Sequence, residues 1–375
     1  MVSVPGDAVV EPPPSDLNSF GRRFAAAVST AAGRKLLINL IALGILCIVL
    51  TLLNDRFLTQ TNITNVLRQI AAVVTVGSAI TLLMVAGGLD LSIGGVVALS
   101  GCTAALLSNQ MPLPMAFLIG TLVGGLVGLL NGFLVEIVGI NSVIATLGTM
   151  YVSRGSALLV TGGVPVYEVP QNYGWLGAGY IGAIPVPVVV MAIAVLVFTI
   201  IERRTLLGKY AVAVGSNPQA AYLVGVPIRK TRMTLYVLSG LVAGWGGVMI
   251  SSRLASGIPN AGMGFEFEVI VATVLGGTSL LGGQGTVIGM VLGALIVGTL
   301  NNGLNLLGVQ SFWQTVALGT VLVLAVGLDA ALRRDSGTPR RLRLGRPAAP
   351  VLTAATAAAL LSREADDGKT GKESG

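Results

Sequence analysis

Ten apolar runs, each near the ~20 residues that carry a helix across a bilayer, leave this chain little choice of architecture. They fall at about 36–53, 66–86, 91–109, 114–137, 142–161, 184–201, 233–252, 265–281, 285–306 and 311–330. Backbone polar groups in lipid must find partners within their own segment, so runs of this length become helices. The expected fold class is an all-α polytopic membrane protein of about ten transmembrane helices. Charged residues make up only 10% of the chain, against about 25% in soluble domains. The net charge of +7 comes from basic residues beside apolar runs, where membrane topology explains it without nucleic acid.

The longest charged interruption is Glu202 to Arg232, ERRTLLGKYAVAVGSNPQAAYLVGVPIRKTR. Its basic residues Arg203, Arg204, Lys209, Arg229, Lys230 and Arg232 outnumber the single acid Glu202, which places the segment in the cytoplasm by the positive-inside rule. Ten spans starting inside agree with that placement, and put both termini of this multi-pass membrane protein in the cytoplasm. Asn217 and Pro218 have the pattern of an N-cap with proline at the first helical position, so a short helix is expected through Gln219–Val224, ended by Gly225 and Pro227. Such a helix is either a docking peg for a soluble partner or a capped, solvated loop.

Residues 1–35 read as a cytoplasmic tail rich in proline near its start, without the apolar core of a cleavable signal peptide. Residues 36–330 form the transmembrane domain and 331–375 a disordered cytoplasmic tail carrying Arg333, Arg334, Arg340, Arg341, Arg343 and Arg346. There is no histidine, which removes histidine catalysis, histidine metal sites and histidine proton relays. Cys47 and Cys102 both lie in apolar runs and form neither a metal set nor a disulfide framework. No G-x-x-x-x-G-K-[ST] phosphate loop occurs, so any ATP hydrolysis is expected on another polypeptide, and no cofactor is expected on this chain.

The stretch 131–149, NGFLVEIVGINSVIATLGT, aligns with NGLNLLGVQSFWQTVALGT at 302–320. Five spans separate the copies, so the two would cross in opposite senses, an inverted repeat of five plus five. Gly124, Gly125, Gly128 and Gly132 recur at helix spacing, as do Gly285, Gly289, Gly293 and, less regularly, Gly298. Small residues on one face let helix backbones approach closely in lipid, within one subunit or between two. Two glycine-flanked segments, GGLDLSIGG at 87–95 and GGTSLLGG at 276–283, interrupt the apolar pattern and predict tight turns or broken helices.

Charges at membrane depth are costly and mark function unless they cap or pair. Asp90, followed closely by Ser92, either serves function or caps a helix N-terminus. Arg154 lies half-way along a span and must face the interior, find a carboxylate or carbonyl, or snorkel outward; Glu266 and Glu268 could pair with it or with Arg253. The amides Asn131, Asn141, Asn301, Asn302 and Asn305, with Thr146, offer uncharged hydrogen bonds either to a neutral polyhydroxyl solute or between helices. The translocation-path candidates are therefore Asp90, Ser92, Asn141, Thr146, Arg154, Asn301, Asn302 and Asn305. The segment 162–183 carries Tyr167, Tyr173, Trp175 and Tyr180, an interfacial aromatic belt or a surface for an extracytoplasmic partner. Its docking candidates are Tyr167, Glu168, Trp175, Arg253 and Glu266.

GGLDLSIGG, NSVIATLGT followed by Arg154-Gly155, GSNPQAAYLVGV and LGGTSLLGGQGTVIGMVLGALIVGTLNNGLNLLGV resemble the ribose-type permeases of ATP-binding-cassette importers, in register over about 36–330. That resemblance implies a membrane subunit, paired as a homodimer, that receives a sugar such as ribose, xylose or galactose from an extracytoplasmic binding protein. It also implies a separate cytoplasmic ATPase that binds the ATP, docked on a segment matched here by Gly215, Asn217, Ala220, Ala221 and Gly225. Two readings from residues stand beside it: an ion-coupled secondary carrier, which needs an ionisable coupling site, and a membrane enzyme, for which no nucleophile and base are evident. Within the importer class, a branched-chain amino-acid permease shares the same plan.

Overall fold

A computed structural model describes residues 31–335, and every expected apolar run coincides with a helix. In chain order these are α1 (Ala31–Leu53), α2 (Gln60–Val85), α3 (Ile93–Leu107), α4 (Leu113–Phe133), which continues as a π-turn over Leu134–Val138, α5 (Ser142–Thr161), a short α6 (Trp175–Ala178), α7 (Val186–Arg204), α8 (Leu206–Ser216), α9 (Pro218–Leu223), α10 (Ile228–Leu254), α11 (Phe265–Leu275), α12 (Val287–Leu306) and α13 (Ser311–Asp335). A two-residue hairpin, Tyr180–Ile181 with Ile184–Pro185, precedes α7. Helix α1 starts inside the tail expected over 1–35 and α13 runs to Asp335; the rest of both expected tails lies outside the described residues.

Among the described residues seven helices are long and apolar enough to cross a membrane. The expected spans at 91–109 and 265–281 are shorter than anticipated. Helix α3 has 15 residues and α11 has 11, about 22 Å and 16 Å of rise against a ~30 Å hydrocarbon core. At α11 glycine is the reason. Gly87 (φ 77) turns the chain after α2, and Gly277 (φ 92), Gly282 (φ 87) and Gly283 (φ 78) do so after α11, in backbone that L side chains seldom adopt. Gly285 belongs to that turn, and the regular glycine face of α12 starts only at Gly289.

Helix α2 forms the centre and is mostly buried, whereas α1 lies outermost and is mostly exposed. Three helix contacts of the first half have counterparts in the second under an inverted repeat. If α2–α5 correspond to α10–α13, the α4/α10 contact becomes α12/α2, α3/α4 becomes α11/α12, and α3/α10 becomes α11/α2; all six contacts are present. Gly124 and Gly128 of α4 face the backbone of Gly240 and Gly244 on α10, while Gly289 and Gly293 of α12 face the backbone of Gly276 and Ala272, with no room for a Cβ. The glycine faces named from sequence therefore serve packing within one subunit. The repeated asparagines also match in role: Asn131 joins α4 to α3 and α5, and Asn302 joins α12 to α2 through reciprocal bonds with Asn62 of 2.9 and 2.8 Å.

The helix ends divide between two faces. The loops at 86–92, 139–141, 205–227 and 276–286 share the basic face; those at 54–59, 108–112, 162–185, 255–264 and 307–310 share the opposite one.

Candidate translocation and coupling sites

Beyond Gly87 the chain runs extended to α3, and Asp90 sits at that junction, fully buried. Its Oδ1 accepts the Ser92 amide at 2.9 Å and the Ser92 hydroxyl at 2.6 Å, and its Oδ2 accepts the Ser239 hydroxyl of α10 at 2.7 Å. The Asn131 amide of α4 donates to Ser92 Oγ at 2.8 Å and accepts from Thr149 of α5 at 2.6 Å. One carboxylate thus gathers α3, α4, α5 and α10. Asp90 thus lies just before the Ser92 N-cap of α3, and neither Asp90 nor Ser92 lines the cavities described below. Asp90→Ala orphans at least three buried donors and is expected to cost on the order of 3 kcal/mol, with Asp90→Asn milder because one acceptor survives. Thermal unfolding of the detergent-purified variants checks this; equal melting for alanine and wild type would refute it.

Arg154 finds its partner in Glu266, at 2.7 Å. The segment 255–264 reaches inward, anchored where Val166 and Gly257 exchange backbone bonds of 2.8 and 2.9 Å, so that the Gly262 backbone meets Gly94 and α11 starts against the N-terminus of α3. The carboxylate in the first turn of α11 thereby lies beside two helix N-termini, both favourable to negative charge. Glu266 is 2% exposed, and its Oε2 has no hydrogen-bond partner. It belongs to the interior. Its expected place among docking residues is corrected by that inward reach, which a linear reading of the loop does not reveal.

On the basic face the expected peg is present as α9. The Asn217 side chain accepts the Ala220 amide at 3.2 Å, Pro218 opens the helix, and Gly225 (φ 80) closes it, with Gly225 and Val226 amides donating to Tyr222 and Ala221 carbonyls. Helix α8 before it was not anticipated; the Thr205 side chain caps it through the Gly208 amide. Ala221 is buried and faces the protein, while Tyr222, Leu223 and Val224 are 74, 84 and 78% exposed. Those three apolar side chains were read only as part of the helix. Gly215 is not on the surface either: a Cβ there would strike Val85 O and Gly283 N. Those two atoms are hydrogen-bonded at 2.8 Å, joining the break after α2 to the break after α11. Arg232 Nε donates to Ala86 O at 3.0 Å, and Glu202 accepts the Val287 amide at 2.9 Å. The peg's neighbours thus grip both broken segments.

The opposite face is built on Tyr173, which is fully buried. Its hydroxyl lies 2.6 Å from Ser251 Oγ, its ring meets Phe117 edge-on at 5.3 Å, and its carbonyl accepts from Ser252 at 2.6 Å. Burial pushes its phenol up to about 12, as the loss of water around a phenolate requires. Tyr173 is therefore a packing residue, whereas Tyr167, Glu168 and Trp175 are exposed and available. Between α2, α6, α7, α10 and α11 lies a cavity of about 200 Å³, whose polar walls are Arg68, Gln69, Arg253 and Glu268 and whose aromatic wall is Phe265. A second cavity, about 660 Å³, lies across α11 against α12 and α13 and shares Ala261, Phe265 and Glu268 with the first. Asn301 lines it. The remaining polar candidates are otherwise engaged: Asn141 caps α5, Thr146 donates to Ser142 O, Asn302 pairs with Asn62, and Asn305 accepts from Gln314. Arg68 and Gln69 went unnamed from sequence, since two polar residues near a span end carry no signal of a cavity.

A bundle with two interrupted helices, buried polar junctions between its repeats and an exposed capped peg on one face is the architecture of a membrane transport subunit. The chain belongs to the family described as branched-chain amino acid transport system, permease component, which matches residues 62–326. Among its relatives are the ribose import permease protein RbsC of Bacillus subtilis, 41% identical over 77% of this chain and 91% of the relative, the D-allose transport system permease protein AlsC of Escherichia coli K12, 36% identical over 75% and 86%, and the L-arabinose ABC transporter permease protein AraH of Azospirillum brasilense, 37% identical over 78% and 86%. No solved structure gives a significant match.

Proposed function

We propose that this chain is the permease subunit of an ATP-binding-cassette importer that carries a monosaccharide across the bacterial plasma membrane. The observation that carries the reading is similarity along almost the whole bundle to permeases named for three sugars, ribose, allose and arabinose. It favours a sugar over a branched-chain amino acid, although the family description names the latter. The basic face is cytoplasmic, because it holds the cationic 202–232 segment, and both termini lie on that side.

A separate ATPase binds the ATP and receives α9, whose Tyr222, Leu223 and Val224 fill a groove on it. Movement of α9 passes through α8 and Gly215 to the two broken segments, opening the bundle outward and then inward in alternating access. A binding protein delivers sugar to the opposite face, where Tyr167, Glu168 and Trp175 stand exposed. A second copy of the chain completes the permease. Its place is the outer face of α5, where Ile144, Tyr151 and Leu159 are exposed and Gly148 and Gly155 meet nothing within 4 Å. The expected tails, 1–35 and 331–375, are cytoplasmic extensions of that permease.

The deciding experiment reconstitutes the chain with its ATPase and binding protein in liposomes and measures ATP hydrolysis against D-ribose, D-allose, L-arabinose and leucine. Stimulation by a sugar is expected. Stimulation by leucine alone, or uptake driven by an ion gradient without the ATPase, overturns the reading. In the same system Leu223→Asp is expected to lower uptake at least about tenfold, the scale of an interface anchor, with unchanged protein in the membrane. Wild-type uptake by that variant would remove α9 from the ATPase contact. Leu223 is the cleaner probe than Ala221, whose buried side chain would damage the peg itself.

A further inference from the structure

The cavity between α2, α6, α7, α10 and α11 holds polar groups that the fold leaves without use. Neither the Glu268 carboxylate nor the Arg253 guanidinium has a hydrogen-bond or ion-pair partner among the described residues, although both line the same cavity. Arg68 is fixed by its Nη2 bond to Ala178 O at 3.1 Å and by stacking over Tyr180 at 4.5 Å, yet its Nε is buried with no acceptor. Gln69 lies beside it on the wall. Within this set Arg68 Nε is the fully buried open donor, Glu268 is half-buried and Arg253 reaches solvent; a buried polar group left open beside a cavity is satisfied by what enters.

The chemistry of the set selects the visitor. A carboxylate accepts two hydrogen bonds from adjacent hydroxyls, a guanidinium donates to hydroxyl or ring oxygens in a fixed plane, and an amide does both. Phe265 supplies an apolar wall for the C–H face of a ring. At about 200 Å³ the cavity is below the 300–1,000 Å³ range of drug-sized pockets and suits a small solute. It opens on the face opposite the peg. Glu268 also lines the second cavity, where Asn301 waits across α11.

From this geometry we infer that Glu268, Arg253 and Arg68 form a hydroxyl-reading subsite for a polyhydroxyl solute within each permease subunit, the first protein groups it meets after leaving the binding protein. The inference rests on the sugar-importer reading. Glu268 is its specificity residue, and it stands on the wall through which solute passes from the first cavity to the second.

The test uses the reconstituted complex with the binding protein and ATPase, at saturating binding protein, and measures maximum uptake of the sugar that stimulates the wild type and of its monodeoxy analogues. Glu268→Gln is expected to lower maximum uptake of the parent sugar at least about tenfold. For the analogue that lacks the hydroxyl held by Glu268 the loss is much smaller, and half-saturation by the loaded binding protein is unchanged. Arg253→Gln gives the same pattern for a different deoxy position. Equal loss on every solute, a changed half-saturation, or no loss overturns the subsite. Failure of the wild type to respond to any sugar overturns the importer reading instead, so the two failures are distinguishable. Where Glu268→Gln does not insert, protection of Glu268→Cys from a membrane-impermeant thiol reagent by the same sugar, against no protection by its monodeoxy analogues, decides the matter by the same logic.

Discussion

Glu266→Ala lowers the stability of the bundle by about 3 kcal/mol, the lower end of the cost of stripping one member from a buried ion pair, because Arg154 keeps 23% of its side chain exposed. The loss arises less from the attraction forfeited than from a guanidinium left in an apolar bundle with no carboxylate at 2.7 Å. The double variant Glu266→Leu with Arg154→Met removes both charges and recovers most of that stability, since a well-packed apolar pair often equals a buried ionic one. Unfolding midpoints in detergent measure both. A double variant no more stable than Glu266→Ala would mean that the two charges do not act as a pair. The carboxylate also stands at the meeting of two helix N-termini, so Glu266→Gln falls between alanine and wild type.

Gly215→Val separates transport from hydrolysis. The new side chain must displace Val85 O or Gly283 N, and with them the bond that joins the two broken segments. Overpacking of this kind costs about 1–3 kcal/mol, which corresponds to roughly a 10- to 100-fold fall in uptake if the strained junction is the one that must move. Under the proposed docking on α9, basal ATP hydrolysis by the partner is expected to continue, because Tyr222, Leu223 and Val224 are untouched. Uptake and hydrolysis falling in proportion would place Gly215 in the docking surface instead of behind it.

Much of the fold is legible in the chain because the forces that write it are local. The length of an apolar run decides whether it can cross the bilayer, and Asn217, Pro218 and Gly225 cap α9 with partners only a few residues away. The breaks after α2 and α11 announce themselves through glycines that no other residue replaces at positive φ. Helix α8 was missed because its apolar residues are diluted by the basic residues around it. The lengths of α3 and α11 were overestimated because an apolar run does not say where its backbone stops being helical once neighbouring helices supply the missing partners.

The candidate sites divide by the same rule. Asp90, Arg154 and Glu266 stand out as costly charges in an apolar sequence, but their roles come from groups far along the chain: Ser239 for Asp90, Glu266 for Arg154. The clearest instance is the choice between Glu266 and Glu268 as partner for Arg154. Sequence alone established that two carboxylates stand at the start of an apolar run and that an arginine in a distant span must find a carboxylate or carbonyl, or snorkel outward. Two positions on a helix differ by roughly 200° of rotation, so the two acids must point to different surroundings. Only the packing of α11 against α12, α2 and the start of α3 decided that Glu266 turns inward to Arg154 while Glu268 faces the cavity with Arg253, because orientation about a helix axis is set by what the helix rests against and not by the residues it contains.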